Sequence, residues 1–433
     1  MTAPARFCFL TTFYPPYNFG GDGIGVQRLA RGLAKRGHDV TVIHDADAYL
    51  TLADGRSAET ASADPFGVRV VTLRSRLPVV STLLTQQTGR PVVHGARIRQ
   101  LLEQGDFDVI NFHNISLIGG PGLLSYGRGV KLYMAHEHWL VCPSHVLWRH
   151  DREACTGREC FRCALAFRRP PQYWRYSGLL GRELRHVDAF IAMSEFSRDK
   201  HKEFGFPRDM EVLPYFLLEE ENVPAAALDD SSPHEKPYFL AVGRLERIKG
   251  FDDIIPLFGR YPDADLLIAG EGTQSDALRI LARNLPNVRF LGQLGPQELS
   301  RYYRHALALI VPSIGYETFG IILIEAFRHG TPVLARRIGP FPEIVAQSGG
   351  GELFVDGDNL LVAMRRLQAD PSRRRQLGAA GVNAVNKFWS DTVVVPQYLD
   401  IVNRAAERMT SRAEADGSLW HGASECRAAG SQE

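Results

Sequence analysis

The stretch Val311-Pro312-Ser313-Ile314-Gly315-Tyr316-Glu317-Thr318-Phe319-Gly320-Ile321-Ile322-Leu323-Ile324-Glu325-Ala326-Phe327 decides how this chain is read. It leaves an apolar run, passes through a Gly-flanked loop that holds Glu317, and enters a nearly all-apolar helix that holds Glu325. A helix apolar on every side is normally buried, and a carboxylate inside it must find a partner. Glu325 is therefore expected to hold a donor group, either a cation of the protein such as an arginine or a ligand hydroxyl. Were the whole stretch helical, the two carboxylates would stand roughly 12 Å apart. That spacing is too long for a shared proton and suits two contacts along one extended, hydroxyl-rich ligand.

Around this stretch, short β-rich runs alternate with helical patterns. One series runs through Phe7–Thr11, Val40–His44, Val68–Leu73, Val109–His113, Lys131–Ala135, Ala189–Met193 and Glu211–Leu213. A second runs through Tyr238–Val242, Asp265–Ala269, Val288–Leu291, Ala306–Val311, Pro332–Ala335 and Glu352–Phe354. Helical patterns such as Gln27–Arg36, Gln274–Leu285 and Leu360–Ala369 lie between them. Alternation of this kind predicts parallel sheets covered on both faces, and two series predict two doubly wound α/β domains. The expected first domain is 1–218, with an insertion at about 139–176, and the second is 238–387. The acidic, Ser/Pro-containing segment 219–237 reads as a linker, 388–409 as a helix returning to the first domain, and 410–433 as a disordered tail.

Composition narrows the classes. Of 433 residues, 45% are hydrophobic and 23% charged, with a net charge of +1, which argues against a nucleic-acid partner. No apolar run reaches the ~18 residues needed to span a bilayer, and the start leads straight into a strand, so a cytoplasmic address is expected.

Ligands of open α/β sheets sit at the carboxyl ends of the strands, and the polar motifs of this chain fall there. Phe19-Gly20-Gly21-Asp22-Gly23-Ile24-Gly25 follows the first strand; it lets a ligand approach the backbone but is not a Rossmann or P-loop fingerprint. Gly243-Arg244-Leu245-Glu246-Arg247-Ile248-Lys249-Gly250 places a guanidinium and an ammonium one turn apart, a pair suited to a diphosphate. Gly320 opens a helix whose first N–H groups, including that of Ile321, favour an anion. Gly339-Pro340-Phe341-Pro342-Glu343-Ile344 forms a fourth strand-end loop. Taken singly, each is also explained as an ordinary turn.

In combination and order, these motifs resemble retaining glycosyltransferase family 4, whose GT-B fold sets two Rossmann-like domains face to face across a deep cleft. The likeness runs from Phe7 to about Ala406. It implies that Arg244 and Lys249 neutralise the diphosphate of a UDP-, GDP- or ADP-linked sugar, with Gly21, Gly320 and Ile321 beside the phosphates. Glu317, Thr318 and Phe319 face the sugar, Glu325 takes the ribose hydroxyls, and His136 of Met134-Ala135-His136-Glu137-His138-Trp139 matches the family's active-site histidine; His113 is a weaker candidate. The family commonly has Gly-Gly before the last glutamate, where this chain has Gly339-Pro340-Phe341-Pro342. The implied reaction is retaining transfer of a sugar to a hydroxyl acceptor, a glycan, glycolipid or natural product, without a catalytic metal. Asp45-Ala46-Asp47 only superficially resembles a metal-binding Asp-x-Asp. An epimerase or phosphorylase on the same fold, or a silent sugar-nucleotide-binding subunit, are the other readings.

Cys142, Cys155, Cys160 and Cys163 crowd into one window, which in a cytoplasmic protein suggests a structural zinc site, with His145 and His150 as alternative ligands. Free thiols, a redox pair and an iron–sulfur cluster are the alternatives. The window resembles a cysteine-rich insertion found in a subset of the family. Its continuation, Phe167-Arg168-Arg169-Pro170-Pro171-Gln172-Tyr173-Trp174-Arg175-Tyr176, interleaves basic and aromatic residues. That run suits a phosphorylated or lipid-linked acceptor, peripheral contact with an anionic membrane, or simply a snorkelling surface loop.

Overall fold

The computed structural model of the chain describes residues 3–53, 64–221 and 231–428. Strands form where the sequence places runs of Val, Ile, Leu and Phe, and central runs such as Phe7–Thr11 and Tyr238–Ala241, covered on both faces, are buried throughout rather than alternating. The first unit runs β1 (Arg6–Thr11), α1 (Gly21–Ala34), β2 (Asp39–Asp45), α2 (Ala46–Leu52), β3 (Arg69–Leu73), α3 (Pro78–Thr88), α4 (Gly95–Gly105), β4 (Val109–Phe112) and β5 (Val130–Ala135). A two-stranded hairpin, β6 (Trp148–Arg149) with β7 (Glu153–Ala154), and α5 (Cys160–Ala166) follow. Then come α6 (Leu179–Glu183), β8 (Ala189–Ala192), α7 (Glu195–Glu203) and β9 (Glu211–Val212). The resulting sheet is parallel, in the order β3-β2-β1-β4-β5-β8-β9.

The second unit runs β10 (Tyr238–Val242), α8 (Phe251–Ile254), β11 (Asp265–Ala269), α9 (Ser275–Leu281), β12 (Val288–Gly292), α10 (Pro296–His305) and β13 (Leu309–Val311). It continues through α11 (Ile321–Arg328), β14 (Val333–Arg336), α12 (Phe341–Ser348), β15 (Gly351–Phe354), α13 (Gly357–Ala369) and α14 (Pro371–Phe388). Its sheet is again parallel, ordered β12-β11-β10-β13-β14-β15. In each sheet the strand order reverses beside the first strand, between β1 and β4 and between β10 and β13. Loops diverge at such a point and leave a crevice. The glycine loop follows β1, Arg244 and Lys249 follow β10, and Glu317 follows β13. Topology alone therefore brings the sequence motifs to the two crevices.

The final helix, α15 (Asp391–Ala428), leaves the second unit and lies on the first. The Asn111 amide donates to the Tyr398 hydroxyl at 3.1 Å, and Lys35 Nζ meets Asp391 at 3.0 Å. One apolar core joins the units: Leu29 and Leu33 of α1, Leu323 and Phe327 of α11, and Trp389, Val394 and Tyr398 belong to it. Where the chain leaves and returns, its two segments are hydrogen-bonded, with the Leu217 N–H donating to the Trp389 carbonyl at 2.9 Å and the Asp391 N–H to the Leu217 carbonyl at 3.2 Å.

Three expectations change. The helical backbone of α15 continues to Ala428, through most of the segment expected as a disordered tail, in keeping with its Ala, Glu and Arg content; 429–433 lie outside the described residues. The middle of the expected linker, 222–230, also lies outside them, while Glu219–Glu221 form a short helical turn. Helix α11 is not enclosed on all sides: Leu323, Ile324, Ala326 and Phe327 are buried, whereas Glu325 is about a quarter exposed. No helix among the described residues is long and apolar enough to cross a membrane.

Candidate active site at the interdomain cleft

The loop after β13 carries Glu317 to the centre of the site. Lys249, the last residue of the helical turn Arg247–Lys249, reaches Glu317 Oε1 at 2.5 Å, and Ser313 Oγ donates to the same oxygen at 3.1 Å. Burial on its own would push this carboxyl up; the Lys249 charge and hydrogen bond, the Ser313 hydroxyl and the Arg244 charge outweigh it and hold Glu317 below the ordinary glutamate value. Glu317 is thus a fixed anion beside two cations. Arg244 is exposed at the end of β10, directed at the first domain.

The glycine loop forms the opposite wall. A side chain at Gly20 would meet Arg244 Nε at 3.9 Å, and one at Gly21 would meet Ile321 Cδ1 at 3.0 Å. Gly21 starts α1, earlier than the apolar pattern suggested, so the N-terminus of that helix faces the N-terminus of α11. The contacts bring Lys249, Arg244 and Glu317 to one side of the Gly20–Gly21 loop, with Ile321 at the start of α11 against Gly21.

Glu325 finds a protein partner. Arg28 on α1 donates to Glu325 at 3.0 Å and to Glu221 at 3.0 and 3.1 Å, and Arg328 meets Glu221 at 3.4 Å. Arg28 is buried, and although burial disfavours its charge, Glu325 and Glu221 keep it firmly protonated. Of the two partners expected for Glu325, this structure has the arginine.

His136 sits at the end of β5, but its ring is already engaged. Nε2 lies 2.8 Å from His113 Nδ1 and Nδ1 lies 2.5 Å from the Tyr215 hydroxyl, so neither nitrogen is left for a ligand in this conformation. Burial lowers His136 to about 4, with Asp22 opposing, and lowers His113 well below the ordinary histidine value, so both rings are neutral near pH 7. The His136 carbonyl accepts from Thr318 Oγ1 at 2.8 Å, and Ser194 Oγ donates to the Thr318 carbonyl at 2.6 Å. These two bonds tie the Glu317 loop to the first domain. Phe319 is buried against Tyr215 and Trp389, and points into the core rather than the cleft. On the closing loop Glu343 accepts the Phe196 N–H at 3.2 Å.

Arg28, Tyr215 and Ser313 escaped the sequence reading. Ser313 was within reach, four residues before Glu317 on the quoted stretch. Tyr215 lies 79 residues from His136, and nothing local marks it.

Asp45, Asp47 and His94 bring ligand-type atoms within 4.8 Å of one another, the group that does so among the described residues. His94 Nε2 lies 2.9 Å from Asp47 Oδ2, and the Asp47 N–H donates to Asp45 Oδ1 at 2.8 Å, so the Asp-x-Asp is an internal network behind the glycine loop. Burial, then the Asp47 charge, pushes Asp45 up to about 7. The four cysteines line one small cavity together with Leu147 and Phe204. They form no disulfide, and no three of their sulfurs lie within 4.8 Å of each other, whereas tetrahedral zinc with bonds of about 2.3 Å needs separations near 3.8 Å. His145 pairs with Glu137 at 2.7 Å and His150 with Glu159 at 3.3 Å.

Known proteins resemble this chain across both units. A family model described as Glycosyltransferase Family 4 matches residues 19–216, and one described as Glycosyl transferases group 1 matches residues 228–383. A phosphatidyl-myo-inositol mannosyltransferase of Mycolicibacterium smegmatis is 27% identical over 388 residues, covering 87% of this chain and 89% of that protein. A glycogen synthase of Mycobacterium tuberculosis is 28% identical over 433 residues, covering 93% and 96%. Among solved structures, a sucrose-phosphate synthase from Thermosynechococcus elongatus superposes with a TM-score of 0.70 at 20% identity, covering 93% of this chain and 100% of that one, a likeness of fold. The two matched halves are the two walls of the cleft, and the chain belongs to glycosyltransferase family 4, with the GT-B fold.

Proposed function

We propose that the enzyme is a retaining hexosyltransferase that uses a nucleoside diphosphate sugar and a hydroxyl acceptor. One observation carries the reading: Lys249 and Arg244 arrive at ionised Glu317 directly opposite Gly20 and Gly21, so cations and backbone converge on a single spot in the cleft. A diphosphate there has Arg244 and Lys249 on one side and the N–H groups of Gly21 and Ile321 on the other. Glu317 then accepts from sugar hydroxyls. As the sugar–phosphate bond lengthens, negative charge grows on the leaving diphosphate, where the two cations already stand. The departing phosphate oxygen takes the acceptor's proton as the acceptor oxygen bonds to the same face of the sugar. Ribose hydroxyls take over Glu325, and Arg28 keeps Glu221. His136 is a positioning residue, acting through its carbonyl on Thr318. Free cysteines fit a cytoplasmic setting.

Incubating the protein with UDP-, GDP- and ADP-sugars should raise its melting temperature with one nucleotide series and release that nucleoside diphosphate by slow donor hydrolysis. Glu317→Ala should abolish release while largely keeping the thermal shift. No shift with any donor, or unchanged turnover in the variant, counts against the reading; the second result would leave a binding subunit.

The cysteine cluster is proposed as a structural zinc site in which the sulfurs draw together around the ion. Freshly purified protein should contain about one equivalent of zinc. Less than about a tenth of an equivalent would rule the site out.

A further inference from the structure

Helix α3 is built inside out. Its buried positions are Ser81, Thr82 and Thr85, while Val79, Val80, Leu83 and Leu84 point to solvent, Val79 62% and Leu83 46% exposed. An ordinary surface helix does the reverse. The inward polar side has partners: Ser81 bonds to Asp47, and Thr82 Oγ1 lies 3.3 Å from Thr51 Oγ1. The outward side has none among the described residues, and exposed Val92 and Val93 extend it.

The two described segments that border this face carry formal charge of one sign. From Arg74 to Leu102 the chain contains five arginines and no Asp or Glu, and from Cys160 to Arg182 it again contains five arginines and no acid. The fold fastens these two segments together. The Trp174 indole N–H donates to the Gln86 carbonyl at 3.1 Å and the Gln86 side-chain amide donates to the Pro170 carbonyl at 2.7 Å. Arg74, Arg76, Arg90, Arg168 and Arg169 are exposed around the apolar face, as is Tyr173 at 65%.

We propose that α3, with the arginine-bearing segment tied to it, is a docking face for an anionic lipid bilayer, its aliphatic side chains entering the interfacial region and the arginines meeting lipid phosphates. A second copy of the chain is the poorer occupant, since a self-complementary contact would set arginine against arginine. The proposal goes beyond the donor chemistry and stands independently of it; the residues concerned take no part in the cleft.

The test is flotation of the full chain with vesicles of phosphatidylcholine alone and with an added anionic phospholipid. Wild-type protein should float with the anionic vesicles at moderate salt and not with the neutral ones. Val79→Asp/Leu83→Asp should abolish flotation, and Arg74→Ser/Arg76→Ser/Arg90→Ser should weaken partitioning on the order of 100-fold. Both variants should keep the wild-type melting temperature and donor hydrolysis, because only exposed side chains change. No flotation with either vesicle, equal flotation with both, full flotation by both variants, or a wild-type dimer that Val79→Asp/Leu83→Asp converts to monomer would each overturn the assignment.

Discussion

Lys249→Met should lower kcat/KM by about two to three orders of magnitude, the usual effect of removing one preorganised charge from a developing anion. It should also move the acid limb of the pH profile upward. In the wild type, burial raises the Glu317 carboxyl while Lys249, Ser313 and Arg244 more than offset it, leaving its value below 4.5. A carboxyl depressed in this way gives stability that is complete above the unfolded value and is lost as pH falls through the folded one. Without Lys249 the largest opposing charge is gone and burial dominates, so Glu317 protonates at higher pH. Lys249→Arg, which keeps the charge, should restore part of the rate. A Lys249→Met enzyme with unchanged kcat/KM and an unmoved acid limb would remove Lys249 from the mechanism. Loss of rate without the pH shift would leave it acting on the diphosphate alone.

Gly25→Ala should lower stability and transfer together. Its Cβ would stand 2.1 Å from Tyr215 Cε1, and that ring is buried between α1, His136 and Phe319. Overpacking a filled site costs about 1–3 kcal/mol, a drop of several degrees in melting temperature for a chain of this size. Displacing Tyr215 also breaks its bond to His136, which holds Thr318 through its carbonyl. Transfer should therefore fall with stability. Gly20→Ala is the control for melting temperature, because its new methyl would meet nothing closer than 3.7 Å. A Gly25→Ala protein melting within ~1 °C of wild type would show that the Tyr215 ring has room to move.

Most of the fold was legible because parallel strands buried on both faces write themselves as continuous apolar runs, as in Phe7–Thr11 and Tyr238–Val242. Helix α14 was not, although it spans 18 residues. Its arginine run and two glycines blur the period; Gly378 is needed because a side chain there would strike the Gly330 carbonyl at 2.1 Å. Helix α3 defeated the pattern differently, by facing its apolar side outward. Within the site, Glu317, Arg244, Lys249 and the glycine loop could be found because each follows a strand, and strand ends converge. Arg28 could not, since its partners lie 193 and 297 residues away, and residue spacing carries no signal over that range. The ring of His136 was foreseen but not its occupation by His113 and Tyr215, which depends on tertiary packing.

The chain passes between the domains twice, once beyond Leu217 and once at Trp389 to Asp391, and the two passages are stitched together by backbone hydrogen bonds. A single linker would let one domain swivel about every axis. Two crossings fixed side by side act as a door hinge, leaving one favoured axis of rotation. Opening about that axis separates Gly21 from Ile321 and Arg28 from Glu325 in one movement. The phosphate end and the ribose end of the cleft would then open and close in step.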